Sequence, residues 1–199
     1  MLNTIGKMAE KVLATRLGDE AEAHGVLPLT QMGARAERST ESALALLRDQ
    51  IRAGWALGAE ASVVALEVSG GLDRVPGWGL DDALARRGMP EWVRRVVGSF
   101  MQHHRVLDMA GVMATRRVRT SGIAQGSPLS PNLFLFFSGD LLDTAHGARK
   151  GIAATGFVDD VSWLAVSKST TGRVGKVRGV QQGCEQWAAD NGAVVGPDK

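Results

Sequence analysis

Tyrosine is absent from this chain of 199 residues, cysteine occurs once, and aromatic residues make up only 5%. Each scarcity excludes something. With Cys184 alone, no disulfide can form within the chain, and the usage fits a reducing compartment. So few aromatics argue against extended base-stacking platforms, so Trp78, Trp92, Trp163 and Trp187 read as core or partly buried fillers. No apolar run reaches membrane-spanning length, and the start Met1-Leu2-Asn3 lacks the charged-then-apolar pattern of a secretory signal. The expectation is an intracellular protein that is neither secreted nor partnered by a membrane. His103-His104 is no metal pair: adjacent side chains diverge on a helix, and no cysteine or carboxylate cluster accompanies them. Ser127 has no His and Asp partners at a hydrolase spacing.

Charge is also modest. A net charge of +2 points only weakly to a nucleic-acid partner, although the pI near 9.0 leans that way. Lysine is confined to Lys7, Lys11, Lys150, Lys168, Lys176 and Lys199, and every other basic position is arginine. Guanidinium forks suit phosphate, though GC-rich coding produces the same bias.

The 44% of hydrophobic residues suffices for one sizeable core or two small lobes. Helical and extended segments alternate without repeats, low-complexity tracts or an obvious linker. A first helix is expected over roughly 4–24, with Ile5, Met8, Val12 and Leu17 available for its buried face. Ser39 or Thr40 caps a second, with Glu41 in its first turn and Leu44, Leu47, Ile51 and Trp55 at helical spacing. Val63 to Leu66 is nearly continuous in apolar residues, the pattern of a strand covered on both faces. Helices over 80–87 and 90–102 are separated by Gly88, the second opening on Pro90. A hairpin over 106–118 turns near Gly111. A last helix over 173–190 ends at Asn191-Gly192 and carries Gly175, Gly179 and Gly183, each costing about 1 kcal/mol relative to Ala.

Chemistry concentrates in two places. Phe157-Val158-Asp159-Asp160 sets two adjacent carboxylates between a strand over 154–158 and an antiparallel partner over 161–166, so that the acids occupy a hairpin tip. Adjacent acids at a tip can be plain turn chemistry; they can also hold a divalent cation, which offsets the cost of desolvating like charges. Upstream, Gly122 to Pro131 joins glycines that permit close backbone approach, the Gln125 amide, and a helix start at Ser130-Pro131. From Leu133 to Leu142 the apolar run reads as a buried helix.

These segments resemble reverse transcriptases, most closely those of non-LTR (LINE-type) retrotransposons, and the likeness is ordered along nearly the whole chain. Leu2 to Lys7 with Glu10-Lys11 and Arg16-Leu17 is similar to the family's opening helix. Leu27-Pro28, Gln31, Gly33, Arg35, Arg38, Ser39 and Thr40 are similar to its fingers loop. Glu67 to Asp73, Gly88 to Trp92, Gly122 to Pro131, Phe157 to Asp160 and Gly196 to Lys199 follow in the family's order.

The resemblance implies an α+β, right-hand polymerase architecture: fingers over 1–60, and a palm over 61–199 with fingers elements within about 80–120. An antiparallel palm sheet would be backed by helices, with no thumb, so that the chain corresponds to a fragment. It implies two Mg²⁺ ions, or Mn²⁺, held by Glu67, Asp159, Asp160 and the Val68 carbonyl. Arg35 and Arg38 would face a triphosphate, Leu72, Gln125 and Gly126 would line the nucleotide and template pocket, and Lys199 would protonate pyrophosphate. Partners implied are an RNA template, a DNA primer and deoxynucleoside triphosphates, with action in the nucleus.

Two positions depart from the family pattern. Glu67 stands where the family has Asp; its extra methylene moves the carboxylate roughly 1.5 Å outward, and a misplacement of about 1 Å can cost about 10²-fold in rate. Leu72 replaces the aromatic residue beneath the sugar, preceded by Gly71, which weakens discrimination against ribonucleotides. These changes imply weakened or absent synthesis. The alternatives are a non-catalytic nucleic-acid-binding or inert remnant, a group II intron-type or other cellular reverse transcriptase, and a palm-like interaction domain without metal.

Overall fold

A small antiparallel sheet wrapped by helices emerges from that alternation. The computed structural model of the chain describes residues 4–68, 70–102, 104–105, 108–109, 112–113, 117–118, 121–148 and 151–196. The order is α1 (Thr4–Ala23), α2 (Thr40–Ala56), β1 (Glu60–Val68), α3 (Gly71–Arg74), α4 (Gly77–Arg86) and α5 (Glu91–Met101). Short strands follow, β2 (His104–Arg105), β3 (Asp108–Met109), β4 (Val112–Met113) and β5 (Arg117–Val118). Then come α6 (Ser130–Ala148), β6 (Ile152–Phe157), β7 (Asp160–Ser167), α7 (Thr170–Asn191) and β8 (Val195–Gly196).

The sheet runs β6-β7-β1-β8 with antiparallel neighbours. β7 aligns on β1 from Glu60↔Ser167 to Glu67↔Asp160 and on β6 from Ile152↔Ala165 to Phe157↔Asp160. β3 pairs with β4 and β2 with β5; the expected turn at Gly111 and His103 lie outside the described residues. The core is carried by α6, whose Leu133, Phe134, Leu135, Phe136 and Phe137 are all buried. Such all-round apolarity suits a helix enclosed on every side. Phe137 meets Trp187 of α7 edge-on at 5.4 Å between ring centroids. Cys184, on the same helix, is 1% exposed, and burial pushes its thiol up to about 12.

Several capping expectations hold. Ser39 caps α2 by accepting from the Ser42 N–H, and α7 ends on Gly192 in the left-handed conformation at φ 62°. α7 starts three residues before the expected 173, because Ser169 caps it by accepting from the Gly172 N–H. Pro90 is the cap of α5, not its first helical residue.

Other expectations are corrected. Of the residues assigned to the buried face of α1, only Leu17 is buried; Ile5, Met8 and Val12 are 79%, 65% and 55% exposed. The inward face is Glu10, Ala14, Leu17 and Ala21, because α1 lies against α6 so closely that the Ala14 carbonyl accepts from Asn132 Nδ2 at 2.8 Å. Leu44 and Trp55 of α2 likewise point outward, and Gly54 packs inward: a Cβ there would lie 2.8 Å from Val166 Cγ1. The doubly covered strand is β7, not β1. Successive side chains Trp163, Leu164 and Ala165 point to opposite faces and all are buried, whereas β1 is half-exposed along most of its length, Val63 included, because β8 pairs only with its last two residues. Trp163 and Trp187 are core; Trp78 and Trp92 are exposed.

Candidate active site

Register brings two of the expected acids together. Glu67 and Asp160 are directly opposed on β1 and β7, a relationship that sets Cβ atoms about 4.5–5.5 Å apart on one face. Glu67 is half-buried and Asp160 exposed. Asp159 sits between the strands at the tip, after Val158 in the left-handed conformation at φ 58°. Its backbone carbonyl accepts from the Val68 N–H at 3.4 Å. Its side chain lies against Gly71, with Oδ2 3.4 Å from where a Cβ would stand. Glu67, Val68, Asp159 and Asp160 therefore gather at one end of the sheet.

Their oxygens are hard donors of the kind Mg²⁺ takes, so the residues fit such an ion in kind. As the chain stands, no three acidic, histidine or cysteine side chains among the described residues are grouped closely enough to hold a metal.

The loop 27–39 is built onto this tip. The Met32 N–H donates to the Gly156 carbonyl at 2.7 Å, and the Gly156 N–H donates to the Thr30 carbonyl at 3.0 Å, extending the sheet past β6 by a short parallel bridge at Gln31. Gly33 then presses on the turn: a Cβ on it would fall 2.5 Å from the Val158 nitrogen, so no side chain fits. Arg35 turns inward, giving Glu22 a two-pronged ion pair at 2.5 Å per contact and donating to the Pro28 carbonyl at 2.6 Å. That pairing holds the Glu22 carboxyl below its ordinary value. Arg38 places Nη1 on the Leu29 and Gln31 carbonyls; burial, then the neighbouring Arg35, lowers its pKa.

Across the tip, the segment 121–126 is zipped to the chain after β1. The Ile123 N–H donates to the Leu72 carbonyl at 2.6 Å and the Gly122 N–H to the Val75 carbonyl at 2.7 Å. Leu72 is partly buried against the core. Gln125 and Gly126 are exposed, and Gly126 turns the chain at φ 81°. Gln125 Nε2 donates to Asp73 Oδ2 at 2.7 Å. Lys199 lies outside the described residues.

Sequence reasoning counted three residues among the family-like segments without giving them a role. Asp73 partners Gln125. Gln31 is fully buried and accepts from the Gly33 N–H. Glu10, buried on α1, accepts from the Ser127 hydroxyl and so ties the first helix to the Gln125 loop. The signal for Glu10 was its spacing with Ala14, Leu17 and Ala21 on one helical face. A roomy apolar concavity of about 660 Å³ lined by Leu13, Leu17, Met89, Trp92, Val96 and Leu129 contains none of these site residues.

The reverse transcriptase (RNA-dependent DNA polymerase) family model matches residues 1–199. Two curated Drosophila melanogaster relatives are a probable RNA-directed DNA polymerase from transposon BS, 28% identical over 82% of this chain, and one from transposon X-element, 27% identical over 81%. The chain spans 18% of the length of each. Among solved structures, telomerase from Candida albicans in complex with a TWJ fragment of telomeric RNA gives a TM-score of 0.69 at 13% identity, covering 96% of this chain and 34% of that one. Apo telomerase from Candida tropicalis, truncated from its C-terminal domain, gives 0.64 at 13% identity, covering 95% and 40%. At that identity the likeness is one of fold.

Proposed function

The chain belongs to the reverse transcriptase (RNA-dependent DNA polymerase) family, and from that premise we propose that it is the fingers and palm of a LINE-type retrotransposon polymerase that extends a DNA primer on an RNA template. The observation that carries this reading is the opposition of Glu67 and Asp160 across β1 and β7, with Asp159 at the tip between them. Residues 1–60 serve as fingers and 61–199 as palm, with fingers elements within about 80–120. Glu67, Asp159, Asp160 and the Val68 carbonyl would hold the divalent ions. When bound, a pair of Mg²⁺ ions supplies activation of the attacking hydroxyl and neutralisation of leaving-group charge.

The chain's own residues do the rest. Gly33 and Gln31 clamp the arginine-bearing loop onto the acidic tip, and Arg35 and Arg38 serve the incoming phosphates. A phosphate competing for Arg35 must displace Glu22. Leu72, Gln125 and Gly126 shape the nucleotide pocket, and Lys199 delivers a proton to pyrophosphate. The template, primer and deoxynucleoside triphosphates are the partners.

A second reading has an observation of its own. Glu67 in place of Asp, in a site where no three acids are grouped for a metal among the described residues, favours a copy that binds nucleic acid without synthesis. Single-nucleotide incorporation on an RNA template at equal Mg²⁺, comparing the native chain, Asp159→Ala and Glu67→Asp, separates the two. The polymerase reading expects slow incorporation by the native chain, none by Asp159→Ala, and a rise of up to about 10²-fold in Glu67→Asp. Incorporation indifferent to Asp159 refutes the assigned site. Template–primer binding without incorporation in native and Glu67→Asp chains alike establishes the second reading.

A further inference from the structure

We propose that Asp73 is a positioning residue that fixes which end of the Gln125 amide faces the nucleotide, an inference that rests on the pocket assignment above. A primary amide is nearly symmetric in shape and opposite in chemistry at its two ends, one donating and the other accepting. A pocket that uses such a side chain for recognition needs something to hold one end outward.

The geometry supplies it. Gln125 Nε2 donates to Asp73 Oδ2 at 2.7 Å. A carboxylate only accepts, so the flipped amide would set oxygen against anionic oxygen and lose a charge-assisted bond, roughly twice as strong as a neutral one. Oε1 is therefore the end left for a ligand, and Gln125 is exposed. The backbone around the pair is fixed independently. The Ile123 and Gly122 amides bond the Leu72 and Val75 carbonyls at 2.6 and 2.7 Å, and Pro76 bridges to Ser121. Asp73 and Gln125 thus project from two chain segments already held in register, and the side-chain bond is free to set orientation instead of assembling the loop.

The ligand group selected is a hydrogen-bond donor: a sugar hydroxyl or base amino group of a deoxynucleoside triphosphate beside Leu72, which immediately precedes Asp73. Because Asp73 acts through Gln125, its effect falls on binding, through orientation.

Asp73→Asn is the discriminating variant, since it keeps shape and a hydrogen bond but both donates and accepts, so the amide can flip. Calorimetric titration with dATP and Mg²⁺ is expected to show about fivefold weaker binding in Asp73→Asn, the worth of one net hydrogen bond, with an unchanged urea midpoint. Gln125→Glu alone, which opposes two carboxylates, should bind more weakly than Asp73→Asn. Combining Asp73→Asn with Gln125→Glu reverses the pair, the amide at 73 donating to one carboxylate oxygen at 125 while the other faces outward as an acceptor, and should recover affinity over either single variant. In parallel, NMR of the Gln125 side-chain NH₂ should show its resonances moving in Asp73→Asn while the Gly122 and Ile123 backbone amides stay in place. Native affinity in Asp73→Asn, or no recovery in the double variant, overturns the positioning role alone. Absence of Mg²⁺-linked dATP binding by the native chain overturns the pocket assignment and the proposal with it.

Discussion

Strand β7 is fastened along its whole length, whereas α1 is fastened at a few points. β7 is paired on both sides, to β1 over Glu60↔Ser167 through Glu67↔Asp160 and to β6 over Ile152↔Ala165 through Phe157↔Asp160, and its Trp163, Leu164 and Ala165 are buried on alternating faces. α1 contributes the face of Glu10, Ala14, Leu17 and Ala21, a buried bond from the Ser127 hydroxyl to Glu10, one from Asn132 to the Ala14 carbonyl, and the Arg35–Glu22 ion pair at its end. One-residue slippage of β7 would send every buried side chain to the opposite face of the sheet, so the acids at its end hold their places as part of a cooperative unit. The Gln125 loop, tied to α1 through Ser127, depends on individual bonds. The site is thus held on its acidic side by continuous strand pairing and on its Gln125 side by a few separate bonds.

The contrast is broken most severely by cutting into β7. Trp163→Ala removes a side chain 1% exposed and is expected to cost about 3–5 kcal/mol, read as a fall in the urea midpoint together with loss of any metal-dependent binding at the tip. A smaller effect is expected on the other side. Glu10→Ala removes the acceptor of the Ser127 hydroxyl and should cost about 1 kcal/mol, since burying the carboxylate is itself costly and the Ser127 oxygen still accepts from the Leu129 N–H. A double-mutant cycle with Ser127→Ala should return a coupling of about 0.5–3 kcal/mol; additivity would show that α1 and the loop are independent. The smallest effect sharpens the comparison through pH. Folding favours the ionised Glu22, whose carboxyl is held below its usual 4.5 by the Arg35 hydrogen bond against the opposing effect of burial. Its contribution is complete above about pH 4.5 and is lost as pH falls through the lower folded value. The stability difference between the native chain and Glu22→Gln, measured from pH 6 to pH 3, should therefore shrink toward acid; a constant or widening gap contradicts the ion pair.

Legibility followed the same division. The hairpin around Asp159 could be read because two short β-branched runs flank the acids and leave one register that buries Val161 and Trp163. The α6 core could be read because its apolar run is unbroken. α1 could not, since large apolar residues attract a periodicity reading, whereas the face turned inward is Glu10, Ala14, Leu17 and Ala21, with Asn132 of α6 bonded to the Ala14 carbonyl. That face shares only Leu17 with the large apolar set and leaves Ile5, Met8 and Val12 outside. β1 was misjudged for a related reason: an apolar run reports what a strand could bury, and only its neighbours decide how much it does. The roles of Arg35 and Asp73 turn on partners far away in sequence, Glu22 and Gln125, which no local pattern announces.

The lone thiol carries one more consequence. At neutral pH Cys184 is uncharged and walled in behind the sheet, so a thiol reagent reacts only during the moments when α7 lifts away. Because the sequence holds no second cysteine, the labelling rate becomes a clock for that single opening event. Its dependence on denaturant reports whether α7 parts from the sheet locally or only as the whole chain unravels.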